Sequence, residues 1–209
     1  VNLASNALVI TGNGILQLVG YDHTESQRRD IRLEKGATLK ILSSYTARTH
    51  NSGANTDNAP YQDYTGHSAI HVTDGTTLDI TGYPRENSNN DQGGSLAYRV
   101  YLAGDGVDGK GALYKNSAAG NYSTNPVGKM AFGRIELENN ASITADGNAN
   151  ILQIGSGNSR TNLILNEKIL TKRGQAVYAL RNTDITDGTI YVHEGTLRSE
   201  GKTKGCLLY

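Results

Sequence analysis

An eleven-residue pattern recurs along this 209-residue chain and restricts what it can fold into. Ile31 to Ile41 reads IRLEKGATLKI, Ile70 to Ile80 reads IHVTDGTTLDI, and Ile135 to Ala145 reads IELENNASITA. A copy one residue shorter, IYVHEGTLRS, runs from Ile190 to Ser199. Each has two apolar residues two apart, a polar stretch with Gly or Asn, and then a second alternating stretch. Residues two apart share one face of a strand. Gly or Asn supplies the left-handed backbone of a tight bend. Each copy is therefore predicted to form strand, corner, strand, with Ile31, Leu33, Leu39 and Ile41 all pointing inward. Strand and corner repeated without helical periodicity predict the stacked rungs of a β-solenoid. The chain is all-β on this reading, a single domain over residues 1–209.

Turn signals at Thr11-Gly12-Asn13-Gly14, Asp146-Gly147-Asn148 and Gly155-Ser156-Gly157-Asn158 separate short strand-like runs. Their intervals suit rungs of about 20–25 residues. Two long insertions interrupt them, at about 43–67 and 83–96, and without these roughly seven rungs fit. Both follow the second strand of an eleven-residue copy, so stacking in register would send them out from one side of the solenoid. They hold Tyr45, Asp57, Tyr61, Asp63, Tyr64, Tyr83 and Arg85. Tyrosine rings with carboxylate and guanidinium neighbours suit a sugar, which offers apolar C–H faces and rim hydroxyls. The same composition also suits polar loops that only cover the solenoid.

Composition removes several functions. Twenty basic and twenty acidic residues give a net charge of +0, and no basic stripe interleaved with aromatics exists for nucleic acid. No run of about 18 apolar residues exists to span a membrane. The one cysteine, Cys206, allows no disulfide framework and reads as a buried apolar residue beside Leu207 and Leu208. No cofactor or metal is expected. Gly104, Gly106 and Gly109 have a dinucleotide-loop spacing, but no helix signal follows them, so the stretch reads as a structural turn. His67 and His71 are four apart, yet Ala69–Val72 reads as a strand, and His71 and His193 fall at outward positions. Glycoside hydrolysis needs two facing carboxylates. Asp57, Asp63, Glu86 and Asp91 are available in the insertions, but no Asp-Asp pair or Gly-His-Gly segment marks a site, so no catalytic residue is assigned.

Residues 100–201 resemble the passenger repeats of bacterial autotransporter-type surface proteins. The stretch GDGVDGKGALY from Gly104 to Tyr114 is similar to that family's glycine-rich motif. Leu163-Ile164-Leu165-Asn166 with Leu170-Thr171-Lys172-Arg173-Gly174 is similar to its turn motif, and Gly188 to Leu197 (GTIYVHEGTL) to its closing motif. The resemblance implies a right-handed parallel β-helix exported to the cell surface. The family shares no catalytic residues, so none carries over.

The function expected from these readings is display and adhesive glycan binding by an extracellular or cell-surface solenoid segment, without catalysis. Two alternatives stay open: a polysaccharide lyase or glycoside hydrolase on a β-helix, and a self-associating subunit. The last follows from the open strand edges at solenoid ends. The edge near Thr196–Tyr209 is expected to lack a capping helix.

Overall fold

Alternating apolar residues close this chain into turns of a parallel β-helix. A computed structural model describes residues 7–18, 30–41, 69–81, 96–116, 132–147, 152–154, 161–201 and 203–205. The first turn holds β1 (Ala7–Thr11) and β2 (Ile15–Leu18), and the second β3 (Asp30–Glu34) and β4 (Thr38–Ile41). The third holds β5 (Ala69–Val72) and β6 (Thr77–Asp79), and the fourth β7 (Leu96–Gly104) and β8 (Leu113–Asn116). From the fifth turn on, the first two strands merge into one long bent strand and a third is added. These turns are β9 (Phe132–Asp146) with β10 (Leu152–Ile154), β11 (Thr161–Arg173) with β12 (Val177–Arg181), and β13 (Thr183–Val192) with β14 (Thr196–Glu200).

Every strand pairs in parallel with its counterpart in the next turn. In the first sheet Leu8, Ile31, Ile70, Val100, Ile135, Leu163 and Ile185 lie in register. In the second sheet Leu16, Leu39, Leu78, Leu113, Ile143, Lys172 and Val192 do so. The third sheet is β10-β12-β14. The aliphatic residues predicted to point inward form one buried cluster, including Ile31, Leu33, Leu39, Ile41, Ile70, Val72, Leu78, Ile80, Ile135, Leu137, Ile143 and Ile190. Each such side chain contributes about 1.5–3 kcal/mol of burial. Val192 and Leu197 are only partly buried, because they belong to the last described complete turn.

That turn is followed by the start of another. Asp184 pairs in parallel with Lys204, Ile185 N–H donates to the Lys204 carbonyl at 2.8 Å, and Lys204 N–H donates to that of Thr183 at 2.9 Å. No helix covers the edges of β13 and β14 among the described residues, and none there is long and apolar enough to cross a membrane.

The corners depart from the sequence reading in two ways. The first three copies of the pattern join a first strand to a second, but the copy at Ile190–Ser199 joins β13 to β14, which is the next corner of the turn. Alternation alone cannot distinguish the two corners, since both are a polar bend between inward-facing pairs. At Asn139-Asn140 no left-handed residue is used. There β9 bends as a continuous strand, and the Asn140 side-chain oxygen accepts the Ile169 N–H of the next turn at 2.9 Å.

Lys40 pairs with Asp79 and Asp79 with Tyr114, and Asn116 N–H at the end of β8 donates to the Thr81 hydroxyl just past β6, so β4, β6 and β8 run out near one corner. The two predicted insertions start from these ends. A third long segment, 117–131, starts after Asn116 from the same corner; the sequence reading provided for only two.

The glycine-rich stretch 104–111 forms a cover over the outward face of the second sheet. Val107 N–H donates to the Thr77 hydroxyl oxygen at 2.9 Å, and that hydroxyl donates to the Gly111 carbonyl at 3.0 Å. Gly111 N–H closes the loop on the Asp105 carbonyl at 2.6 Å. Gly106 has φ 79°, and a Cβ there would fall on the Gly111 carbonyl. Gly106→Ala therefore combines left-handed strain with a backbone collision. A loss of about 1–3 kcal/mol is expected, read as a lower midpoint in urea unfolding.

Candidate functional site

The residues singled out for ligand binding, Tyr45, Asp57, Tyr61, Asp63, Tyr64, Tyr83 and Arg85, lie outside the described residues. The acids considered for hydrolysis lie there too, as does Cys206. Outward-facing side chains of the described sheets present two polar surfaces.

On the first sheet, register places Arg32, His71, Tyr101 and Glu136 in one column and Arg99 and Arg134 in the next. His71 stacks on Tyr101 with ring centres 4.6 Å apart and 5° between planes, and its Nδ1 lies 3.0 Å from Glu138 Oε1. Arg99 donates to the Tyr101 hydroxyl at 3.3 Å. Arg32 pairs with Glu34, and Arg134 with Glu136, each at 2.9 Å. Asn166 Nδ2 also reaches Glu136, at 3.1 Å. Burial pushes the Glu136 carboxyl up, but hydrogen bonds from Arg134 and Asn166 and the charges of Arg134 and Arg99 outweigh it and hold it below the usual range. This surface is a ladder of ion pairs and a stacked ring pair that braces adjacent turns.

The second sheet differs. Its outward columns run Thr38, Thr77, Ala112, Ser142, Thr171, Tyr191 and, beside it, Lys40, Asp79, Tyr114, Thr144, Arg173, His193, as the paired registers require. The 104–111 cover overlies the middle of both columns, and Lys110 Nζ sits 4.2 Å from the centre of the Tyr114 ring. Beyond the cover, outward side chains among the described residues are exposed. Tyr191 is 55% exposed and Ile169 43%. His193 lies beside Tyr191, with ring centres 6.2 Å apart. Arg173 reaches back along its column to Asp105 on the cover, at 3.3 Å. Three polar atoms at this step have no hydrogen-bond partner although closed from solvent: Ser142 Oγ, Thr144 Oγ1 and Arg173 Nε.

The interior also holds charge. Lys172 occupies an inward position between Ile143 and Val192, and its Nζ donates to the carbonyls of Arg173, at 2.8 Å, and Gly174. Burial pushes its pKa down, against the pull of Asp146 and Glu194. The lysine of the Leu-Thr-Lys-x-Gly stretch thus ties a corner from within. Lys115 lies inward beside Ala145, and burial pushes it down to about 8. Tyr178 is fully buried, its hydroxyl is without a partner, and burial pushes it up. Among the described residues no three His, Cys, Asp or Glu side chains stand together as metal ligands.

No family model, curated protein or solved structure matches this chain.

Proposed function

We propose that this chain is a segment of an extracellular or cell-surface β-helix that displays and binds glycan without catalysis, and that the exposed end of the second sheet takes the sugar. The carrying observation is the exposed Tyr191 ring on a flat sheet, with Ile169 beside it and Thr171, Arg173 and His193 around it. A pyranose lays its C–H face on such a ring and directs its hydroxyls to the polar rim. The resemblance of residues 100–201 to autotransporter passenger repeats supports the location.

Tyr191→Ala tests the site. Glycan-array hits of the wild type should weaken by about 1–3 kcal/mol in the variant. Its unfolding free energy should stay within about 0.5 kcal/mol, because a solvent-facing ring adds little to the core. Unchanged binding by the variant sinks the assignment.

A further inference from the structure

We propose that two copies of this chain join at their first turns, β1 and β2 of one copy pairing antiparallel with β2 and β1 of the other across a two-fold axis. β1 and β2 end the strand order of the eleven-stranded sheet, and among the described strands each pairs on one side only. Leu8 and Leu16 hold inward positions, in register with Ile31 and Leu39. Those partners are 6% and 0% exposed, whereas Leu8 is 42% and Leu16 36% exposed. The core therefore opens at this end. Outward Val9 and Ile15 are exposed as well, so four large apolar side chains meet solvent on one turn. Strand edges are ordinarily guarded by charge, proline or a bulge. β1 reads ALVIT and β2 ILQL, with neither charge nor proline, and both pair with the next turn in unbroken register.

The other end of the solenoid does not match this surface. There β13 and β14 carry Asp184, Asp187, Arg198 and Glu200, and the backbones of Thr183 and Ile185 already bond to Lys204. Head-to-tail stacking would set an apolar edge against a charged and partly occupied one. An edge without charge meets its own copy with no like-charge repulsion, and two-fold dimers are the commonest closed homo-oligomers. Register supports the pairing. Gly12-Asn13-Gly14 is the corner between the two strands. A two-fold axis through Asn13 reverses strand direction and lays each arm of the corner on the other arm of the second copy. Ile10 then faces Leu16, Val9 faces Gln17 and Thr11 faces Ile15. Ile10 and Leu16 point inward, in register with Leu33 and Leu39, and the other four point outward, so core meets core and surface meets surface. Tyr191 lies on the seventh turn, so such a dimer carries its two sugar surfaces at opposite ends, about 60 Å apart at about 4.8 Å per turn. Two linked surfaces gain avidity on a repeating glycan, a consequence that rests on the glycan reading; the dimer itself does not.

Sedimentation velocity on the full chain, across micromolar concentrations, should show a monomer–dimer equilibrium and nothing larger. Ile15→Lys places a lysine in the interface twice, once from each copy. It should raise the dimer dissociation constant about tenfold or more and leave the urea midpoint unchanged, because Ile15 is 65% exposed. Val9→Lys should act in the same way and keeps the test open if the first variant misfolds. Cross-linking in a Cys206→Ser background reads the orientation. Val9→Cys mixed with Gln17→Cys should give a disulfide-linked heterodimer on mild oxidation, while each variant alone stays unlinked. A monomer at every concentration overturns the proposal; the edge is then closed within the chain itself. A mass that grows without limit also overturns it, since that is the mark of head-to-tail stacking. So does a dimer that survives both lysine substitutions, or one in which Val9→Cys links to its own copy.

Discussion

Replacing Lys115 by Met should stabilise the protein at pH 7 by about 2–3 kcal/mol. Lys115 follows Leu113 by two residues on β8, so both face inward, and Lys115 pairs with the buried Ala145 of the next turn. Burial lowers its pKa from 10.5 to about 8. Each pKa unit corresponds to about 1.4 kcal/mol between the two protonation states, so the charged form is disfavoured by about 3 kcal/mol. Replacing a buried charge by an apolar side chain of similar volume is commonly stabilising. The pH dependence has a definite sign. Between about 8 and 10.5 the unfolded chain holds a proton on this lysine that the folded chain has released, so the stability of the wild type rises with pH through that window. Below pH 8 both states are protonated and the full penalty applies. Lys172, also pushed down by burial, contributes in the same direction. Urea unfolding at pH 7, 8, 9 and 10 checks both points. Lys115→Met should start higher and climb less steeply than wild type, keeping the Lys172 share of the slope and, near pH 10, the opposing share of buried Tyr178. A destabilised variant with an unchanged slope would show that the ammonium is compensated by its surroundings.

The architecture was legible in the sequence because its period is strict. Ile31, Leu33, Leu39 and Ile41 recur as Ile70, Val72, Leu78 and Ile80, and a one-residue slip would turn all of them to solvent. The same alternation could have exposed the interior lysines. Leu113-Tyr114-Lys115 and Leu170-Thr171-Lys172 place lysine at the position where the period demands an apolar residue, but lysine is so commonly a surface residue that composition conceals it. The candidate site was not legible for a different reason. Tyr191 appears in the sequence only as the polar half of an alternating strand. Its neighbours Thr144, Arg173 and Ser142 come from other turns, joined to it by register alone. Register across turns depends on how many residues each excursion holds, and the third excursion, after Asn116, gives no periodic signal. The copy at Ile190–Ser199 forms strand, corner, strand as expected, but at the next corner of the turn, since one corner's pattern serves equally at the other.

Ile135→Ala should cost about 2–5 kcal/mol, the range for removing a fully buried aliphatic side chain. Ile135 lies at the middle of the first-sheet ladder, in register with Val100 below and Leu163 above, all three fully buried. β7 and β11 flank β9 on its first-strand side, so a cavity at Ile135 removes contact from both at once. A solenoid is held together turn by turn, each turn contacting only its neighbours, so the loss is local before it is global. Weakening this interface uncouples the turns ahead of it from those behind. Amide hydrogen exchange should therefore show reduced protection in β7, β9 and β11 at denaturant concentrations where β3 to β6 remain protected. The thermal transition should broaden or split into two steps as the halves separate. A drop in protection spread evenly over all turns, with a single sharp transition, would mean that the domain unfolds as one cooperative unit and that the nearest-neighbour account of its stability is wrong.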